Sequence, residues 1–430
     1  MSGIKNLILY KEFENGKLFY DFAWIIENYQ NEYYNKEDVE ALFFECLKRL
    51  MELAESHGLE GNLWHSFIAF LLVNNENAYS RACEIRGEVE GSINEIAKHD
   101  FAILREYFDF DLMQLGRHFA VDCMEAVTDY KGTSGSGAVF NRRIRDRIRE
   151  LCCHLEQAKN VDEFGMAVTE FYREFGVGKL GLHKAFRIEH RESGAEIVPI
   201  TNIAHVKLDD LVGYELAKQK LIDNTEAFVN GKEANNCLLY GDAGTGKSTS
   251  IKAIANQYYD RGLRLIEVYK HQFCDLNDVI AQIKNRNYKF IIYMDDLSFE
   301  EFEIEYKYLK AVIEGGLEKK PDNVLIYATS NRRHLIREKF SDKEEVREDM
   351  HTSDTVQEKL SLYARFGVTI YYGAPNKKEF QNIVEVLAQK YQVHMDTEEL
   401  LLEANRWELS HGGLSGRTAQ QFINYLLGKQ

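Results

Sequence analysis

The sequence predicts an α/β domain with a parallel five-stranded sheet and a C-terminal helical lid, preceded by a mostly α-helical N-terminal domain. Three observations support this fold class. Helical periodicity dominates roughly the first 160 residues, short apolar strands alternate with helical stretches from about residue 200, and three helical stretches follow Pro375. Strands that alternate with helices pair in parallel, because each helical crossover returns the chain to the same edge of the sheet.

The clearest N-terminal helix is predicted from Asn35 to Gly58. Asn35 can cap its start and Gly58 can end it. Glu37 and Asp38 lie at the positive end of the helix dipole. One face is apolar and carries Val39, Leu42, Phe43, Cys46, Leu47, Leu50 and Met51. We therefore predict a helical domain over residues 1–160.

Residues 161–205 are predicted to form a linker that contains a β-hairpin. AFRIEH (185–190) and AEIVPI (195–200) alternate apolar and polar residues like two paired strands, with RESG between them. GVGKLG (176–181) matches the pattern GxGxxG, but it follows a helical stretch and not a strand. We interpret it as a loop before the hairpin.

The α/β domain is predicted over residues 206–374 and the lid over residues 375–430. Five short apolar strands define the sheet, as expected of parallel strands that are buried on both faces. They are NCLLYG (236–241), LRLIEVY (263–269), KFIIYMD (289–295), NVLIYAT (323–329) and GVTIYYG (367–373).

GDAGTGKST matches the phosphate-binding pattern G-x-x-x-x-G-K-[ST], follows the first of these strands and precedes a helical stretch. Glycines let backbone N–H groups curl around phosphates, and the helix N-terminus adds positive potential. Lys247 is expected to reach the β- and γ-phosphates, and Ser248 to bind Mg²⁺. The predicted nucleotide-binding residues of this loop are Gly241, Asp242, Ala243, Gly244, Thr245, Gly246, Lys247, Ser248 and Thr249.

Two adjacent aspartates, Asp295 and Asp296, end the apolar strand KFIIYMD. Asp295 is predicted to hold Mg²⁺ through water. Asp296 would then lie next to the γ-phosphate and could orient the attacking water. The alternative for both residues is that they cap a helix predicted to begin at Ser298.

Four further motifs occur in a fixed order around this loop: LDDLVGYE (208–215), YATSNRR (327–333), EKLSLYARFG (358–367) and GGLSGRTAQQF (412–422). Their order resembles that of the AAA-plus ATPases. The sequence most resembles the bacterial family catalogued as domain of unknown function 815, a branch of the AAA-plus proteins. The resemblance covers about residue 175 to the end of the sequence.

The resemblance implies a role for several residues. Val212 and Gly213 would cradle the adenine, and Asn331 would be the sensor residue on the fourth strand. Arg417 would be the lid arginine that touches the nucleotide. Arg365 would be the finger that reaches the γ-phosphate of a neighbouring subunit in trans. Surface ion pairs are the alternative for both arginines.

Two questions stay open in this pattern. Arg332, Arg333 and Arg337 compete with Arg365 for the finger role. The common AAA-plus pattern has Glu where this chain has Asp296, which is one methylene shorter. Two nearby acids are weaker candidates for the base, namely Glu300 and Glu301.

The resemblance implies ATP and Mg²⁺ as ligands, and a homo-oligomer that hydrolyses ATP to ADP and phosphate. Hydrolysis would move the lid and remodel a protein client held by the N-terminal domain. Three alternatives remain: a slow-turnover nucleotide-dependent switch or scaffold, which the short Asp296 motivates; a small-molecule P-loop kinase; and a nucleic-acid loader.

The composition argues against some partners. The chain has 53 Lys and Arg against 69 Asp and Glu, a formal charge of −16, so we expect neither a nucleic-acid nor a membrane partner. The one candidate basic patch is the helical segment 141–150. The apolar run Leu63–Val73 is too short to span a bilayer and is predicted to be a buried helix. Seven cysteines without CxxC spacing suggest reduced thiols in a cytoplasmic protein.

Overall fold

The structure is a computed structural model that describes residues 3–87, 90–132, 140–191, 194–201, 203–299, 305–314, 321–331 and 362–429. The chain forms two compact units, Met1–Leu182 and His183–Gln430. The second unit contains the predicted α/β domain and lid.

The described residues of the first unit form helices joined by loops. Its helices are α1 Gly16–Asn28, α2 Lys36–His57, α3 Leu63–Asn74, α4 Ala78–Arg86, α5 Ser92–Phe108, α6 Met113–His118, α7 Met124–Thr128, α8 Arg142–Gln157, α9 Val161–Phe175 and α10 Gly178–Leu182. The predicted helix over residues 35–58 is α2. The Asn35 side chain caps it by accepting a hydrogen bond from the Glu37 N–H, and Gly58 ends it with a left-handed φ of 67°.

Helix α3 lies in the core of this unit and is almost wholly buried, as predicted for its apolar run. Helix α9 packs against α4 and α5. The helical unit therefore continues past residue 160 and ends at Leu182, where the sequence analysis placed a linker. The segment GVGKLG also differs from its prediction as a loop, because most of it forms α10.

The second unit contains one seven-stranded sheet in the order β2-β1-β4-β5-β6-β3-β7. Its strands are β1 Ala185–Arg191, β2 Gly194–Pro199, β3 Cys237–Gly241, β4 Leu263–Glu267, β5 Lys289–Met294, β6 Val324–Ser330 and β7 Val368–Tyr372. Strands β1 and β2 pair antiparallel, and every other neighbouring pair is parallel. The five predicted strands β3–β7 are all present, with ends shifted by no more than two residues.

The predicted count of five strands is wrong, because the hairpin of β1 and β2 extends the same sheet. Strand β1 pairs in parallel with β4, with Ala185 opposite Leu265. Alternation of apolar residues indicates that two strands pair with each other, but it does not reveal that β1 pairs with residues eighty positions further along the chain.

Helices cover the sheet and position the site. They are α11 Glu215–Val229, α12 Lys247–Tyr258, α13 Leu276–Ile283 and α14 Glu305–Glu314. The interior strand β6 is buried along its whole length, as expected of a parallel strand with helices on both faces. Because β3, β5 and β6 run in parallel, their carboxyl ends meet at one edge of the sheet.

Three helices follow Pro375: α15 Lys377–Lys390, α16 Thr397–Ser410 and α17 Gly416–Leu427. We call residues 377–427 the lid. Their apolar residues form a cluster of their own, centred on Phe380, Val384, Ala404, Phe422 and Ile423. The side chain of Val212 packs against this cluster from the segment that precedes α11.

Within the described part of the chain, no helix has both the length and the apolar composition needed to cross a membrane. All seven cysteines are free thiols. The Cys237 thiol on β3 is completely buried, and burial raises its pKa, so it stays protonated within the core.

Candidate nucleotide-binding site

A cleft of about 680 Å³ lies at the carboxyl ends of β3, β5 and β6 and reaches the lid. Clefts at this edge of an open parallel sheet are the usual place for a ligand. Twelve of the predicted site residues line it: Val212, Ala243, Gly244, Thr245, Gly246, Lys247, Ser248, Thr249, Asp295, Asp296, Asn331 and Arg417.

The phosphate-binding loop joins β3 to α12 with two close approaches that only glycine allows. A Cβ atom on Gly241 would lie 2.0 Å from the Tyr372 carbonyl oxygen, and one on Gly246 would lie 2.3 Å from Leu211 Cδ2. Gly246 is also the N-cap of α12 and offers no side chain to the first N–H groups of the helix. Those donors therefore fit the phosphates of a nucleotide.

Lys247 is the charged group of this loop. Its ammonium nitrogen donates to the Gly241 carbonyl at 2.9 Å, the Asp242 carbonyl at 2.6 Å and Asn331 Oδ1 at 3.1 Å. Burial lowers the pKa of Lys247, and the nearby carboxylates offset only part of this effect. The residue is only 6% exposed, so its positive charge acts on the cleft and not on bulk solvent.

Ser248 and Asp295 form the predicted metal site. The Ser248 hydroxyl donates to Asp295 Oδ1 at 2.7 Å, and the Thr329 hydroxyl donates to the same oxygen at 2.6 Å. Burial raises the pKa of Asp295, but the hydrogen bonds from Thr329 and Ser248 outweigh it, so the pKa lies below its usual value. An ionised carboxylate beside a hydroxyl at the phosphate loop is a donor set that fits Mg²⁺.

Asp296 has a left-handed backbone with a φ of 50°. Its N–H donates to Thr329 Oγ1 at 2.9 Å, and its Oδ1 accepts from the Asn331 side-chain nitrogen at 2.8 Å. Ser298 and Phe299 lie outside any helix, so the alternative that the two aspartates cap a helix from Ser298 is wrong.

The lid contributes Arg417, whose side chain lines the cleft from the first turn of α17. Its backbone N–H donates to the Gly244 carbonyl at 3.2 Å. Gly213, Gly241 and Asp242 do not line the cleft. Gly213 instead turns the chain with a φ of 82°.

Arg365 lies outside this cleft. It precedes β7, whose residues pair with β3 from Cys237↔Val368 to Gly241↔Tyr372. Arg365 is therefore near the amino end of β7, opposite the edge that carries the phosphate loop. Five other residues considered for catalysis lie outside the described residues: Glu300, Glu301, Arg332, Arg333 and Arg337.

The sequence analysis missed several cleft residues. Thr329 links Asp295 to Asp296, and its position two residues before Asn331 at a strand end was an available signal. Six further lining residues lie in two motifs quoted above, although none was named as a site residue: Asp210, Leu211 and Tyr214 in 208–215, and Gly416, Gln420 and Gln421 in 412–422. Ile383 and Leu387 of α15 complete this wall and have no local signature. Across this wall, Lys390 Nζ of α15 donates to Asp210 Oδ1 at 2.5 Å.

The family described as "Protein of unknown function (DUF815)" matches residues 181–430, which is more than half of the chain. The chain belongs to this DUF815 family. The predicted resemblance to an AAA-plus P-loop ATPase of this family is confirmed, and the match begins close to the start of the second compact unit.

Two curated relatives match a short stretch of this DUF815 protein. The Replication factor C large subunit of Methanococcus maripaludis is 40% identical over 76 residues, which is 18% of this chain and 15% of that protein. The subunit of the same name from Staphylothermus marinus is 35% identical over 74 residues, which is 17% of each. The chain therefore matches only about one sixth of these relatives' length.

Solved structures show a distant likeness. A point mutant of Thermotoga maritima RuvB gives a TM-score of 0.36 at 18% identity and covers 51% of this chain and 64% of its own. The T. maritima RuvB Holliday junction branch migration motor gives 0.32 at 14% identity, over 51% and 71%.

Proposed function

We propose that this DUF815 protein is a magnesium-dependent ATPase that hydrolyses ATP to ADP and phosphate. One observation carries the proposal. A phosphate-binding lysine after β3 and two aspartates after β5, a candidate metal ligand and a candidate base, meet in one hydrogen-bonded network around Thr329 and Asn331 of a third strand end. A phosphate loop alone indicates that a nucleotide binds, whereas this network also supplies groups that could hydrolyse ATP.

Each part has a role in this proposal. The N–H groups of the phosphate loop and Lys247 would hold the phosphates, while Ser248 and Asp295 would hold Mg²⁺. Bound Mg²⁺ neutralises the charge that develops on the phosphate oxygens. Asp296 would accept a proton from the attacking water, and Asn331 would keep its carboxylate oriented.

An apolar part of the cleft wall suits a nucleobase. Leu211 and Val212 from the upstream segment face Ile383 and Leu387 of α15 in the cleft lining, so the wall is apolar on both sides. Flat aromatic bases bind well between such surfaces. This supports the predicted role of Val212 in cradling adenine, and the lid would complete the pocket.

The direct test measures phosphate release from ATP by the full wild-type chain and compares it with release by the Lys247→Ala and Asp296→Asn variants. We expect Lys247→Ala to lose nucleotide binding, and Asp296→Asn to bind ATP while losing turnover. Lys307→Ala is the matched control, because Lys307 is an exposed lysine of α14. Binding without phosphate release in the wild type would favour the switch or scaffold, and transfer to a small molecule would favour the kinase.

We also propose that hydrolysis drives movement of the lid and remodelling of a protein client held by the helical unit. A second candidate client is nucleic acid, which the match to Replication factor C large subunits favours. The basic helix α8 gives it little support. Arg145 pairs with Asp146 at 2.6 Å, and Arg147 donates to the Gly181 carbonyl at 3.2 Å.

The two clients can be separated with the ATPase assay. If nucleic acid is the client, added DNA should stimulate turnover, and the effect should fall steeply as salt is raised. If the client is a protein, DNA should leave turnover unchanged at every salt concentration. The double substitution Arg142→Glu/Arg145→Glu tests whether any DNA effect depends on α8.

A further inference from the structure

The core joins the lid through one short connection after β7. Gly373 and Ala374 come between the last strand residue, Tyr372, and Pro375. Proline restricts the residue before it to extended conformations, so Ala374 has little freedom. Gly373 can rotate more freely than any other residue type. Backbone rotation between the core and the lid is therefore expected at residues 373–374, which we call the hinge.

Both hinge residues are held by side chains of the core. Asp242 Oδ2 accepts a hydrogen bond from the Ala374 N–H at 2.7 Å. The Tyr214 hydroxyl donates to the Gly373 carbonyl at 2.9 Å. Asp242 is the second residue of the phosphate loop, and Tyr214 belongs to the cleft wall. The hinge therefore bonds both the phosphate loop and a residue of the cleft wall.

The phosphate loop contacts the lid at a second point. The Gly244 carbonyl accepts a hydrogen bond from the Arg417 N–H at the start of α17. Asp242 is only two residues away, and its own N–H donates to the Tyr372 carbonyl at 3.0 Å. The segment 242–244 therefore contacts the lid or its connection at both ends. A phosphate that shifts this segment must shift the lid or break one of these bonds.

The chemistry of Asp242 fits this contact better than a contact with phosphate. Its carboxylate is negatively charged and would repel a phosphate group in the loop. The residue is exposed and its atoms do not line the cleft, whereas its Oδ2 faces a backbone donor of the hinge. A hydrogen bond to a charged acceptor is one of the stronger kinds in proteins.

We propose that Asp242 is a positioning residue that couples phosphate binding in the loop to the orientation of the lid, with Tyr214 holding the other hinge residue. This inference rests on the proposed nucleotide binding. It assigns the signal to the phosphate loop itself, in addition to the contact with the nucleotide that the AAA-plus resemblance implies for Arg417.

Hydrogen exchange at the Ala374 amide tests the coupling, with ADP as the probe because ADP requires no hydrolysis. In the wild-type full chain, ADP should change the exchange rate at the hinge. In Asp242→Ala, exchange should be about tenfold faster or more without nucleotide, because the acceptor is lost. ADP should still protect the phosphate loop of this variant but no longer affect the hinge. Asp242→Asn keeps an acceptor oxygen and should restore part of the coupling.

Asp223→Ala is the matched control, since Asp223 is an exposed aspartate of α11 that bonds Gln219. It should leave hinge exchange unchanged. Hinge exchange in Asp242→Ala that equals that of the wild type would overturn the inference, as would loss of ADP binding in both Asp242 variants. If the wild type binds ADP but hydrogen exchange at the hinge does not change, the coupling is overturned and the proposed nucleotide binding is not. A wild type that binds no ADP overturns the proposed function as well.

Discussion

Asn331 donates a hydrogen bond to the Asp296 carboxylate at 2.8 Å. The oxygen of the same amide accepts a hydrogen bond from Lys247 at 3.1 Å. One side chain thus connects the phosphate-binding cation to the candidate base. A phosphate that binds Lys247 competes with the amide oxygen for the ammonium group, while the N–H group of the amide continues to orient Asp296.

Replacing Asn331 by Ala should lower kcat for ATP hydrolysis about a hundredfold, because Asp296 loses the donor that orients it. The KM for ATP should change little, since the loop N–H groups and Lys247 still bind the phosphates. Steady-state kinetics measures both constants. Asn424→Ala, at an exposed position of α17, is the control. An unchanged kcat in Asn331→Ala would remove Asn331 from the catalytic group.

The left-handed backbone of Asp296 predicts an unusual order of stabilities. Asp and Asn tolerate a φ of 50° better than Glu does, because their short polar side chains can bond locally. Asp296→Asn should therefore unfold in urea at the same concentration as the wild type. Asp296→Glu should lose on the order of 1 kcal/mol. The control is Asp278→Glu at an ordinary helical position of α13, and equal losses in both glutamate variants would contradict the strain argument.

Nucleotide binding should take up protons at alkaline pH. Burial holds the pKa of Lys247 below its usual value before binding, and the negative charge of the phosphates raises it on binding. Between these two pKa values, ADP binding protonates Lys247, so affinity falls as the pH rises. Calorimetry in two buffers with different ionisation enthalpies measures this uptake. Proton release on binding to the wild type would contradict the assignment.

If Arg365 is the finger that the AAA-plus resemblance implies, it should act on the site of a neighbouring subunit, because it lies opposite the edge that holds the phosphate loop of its own chain. Arg365→Ala should lower turnover about a thousandfold, and wild-type specific activity should fall on dilution. A mixture of Arg365→Ala and Asp296→Asn should recover activity, since some neighbouring pairs then contain one complete site. Arg406→Ala in the lid is the control. Full activity of Arg365→Ala, or no recovery on mixing, would refute the role in trans.

The edge of the sheet that carries the candidate site was predictable from the sequence. The phosphate-loop pattern identifies β3, and Asp295, Asp296 and Asn331 each follow an apolar strand. Because parallel strands end at the same edge, these residues had to come close to Lys247. The structure places them in hydrogen-bonding contact, as this geometry requires.

The contacts between distant segments were not predictable in the same way. Ile383 and Leu387 lie in a pattern that indicates only a helix, and their place in the cleft depends on the fold of the lid. The bond between Asp242 and Ala374 joins positions 132 residues apart. Asp242 was predicted to bind nucleotide together with its neighbours in the phosphate loop, because a pattern does not show where each side chain points.

The hairpin of β1 and β2 has a practical consequence for making smaller versions of this protein. A fragment that begins at residue 206 would lack both strands and expose the backbone edge of β4. Leu263, Leu265 and Ile266 of that strand are buried in the whole chain. An uncovered apolar edge recruits strands from other molecules, so such a fragment should precipitate or form large particles. The shortest piece expected to stay monodisperse begins before residue 183, where the family match also begins.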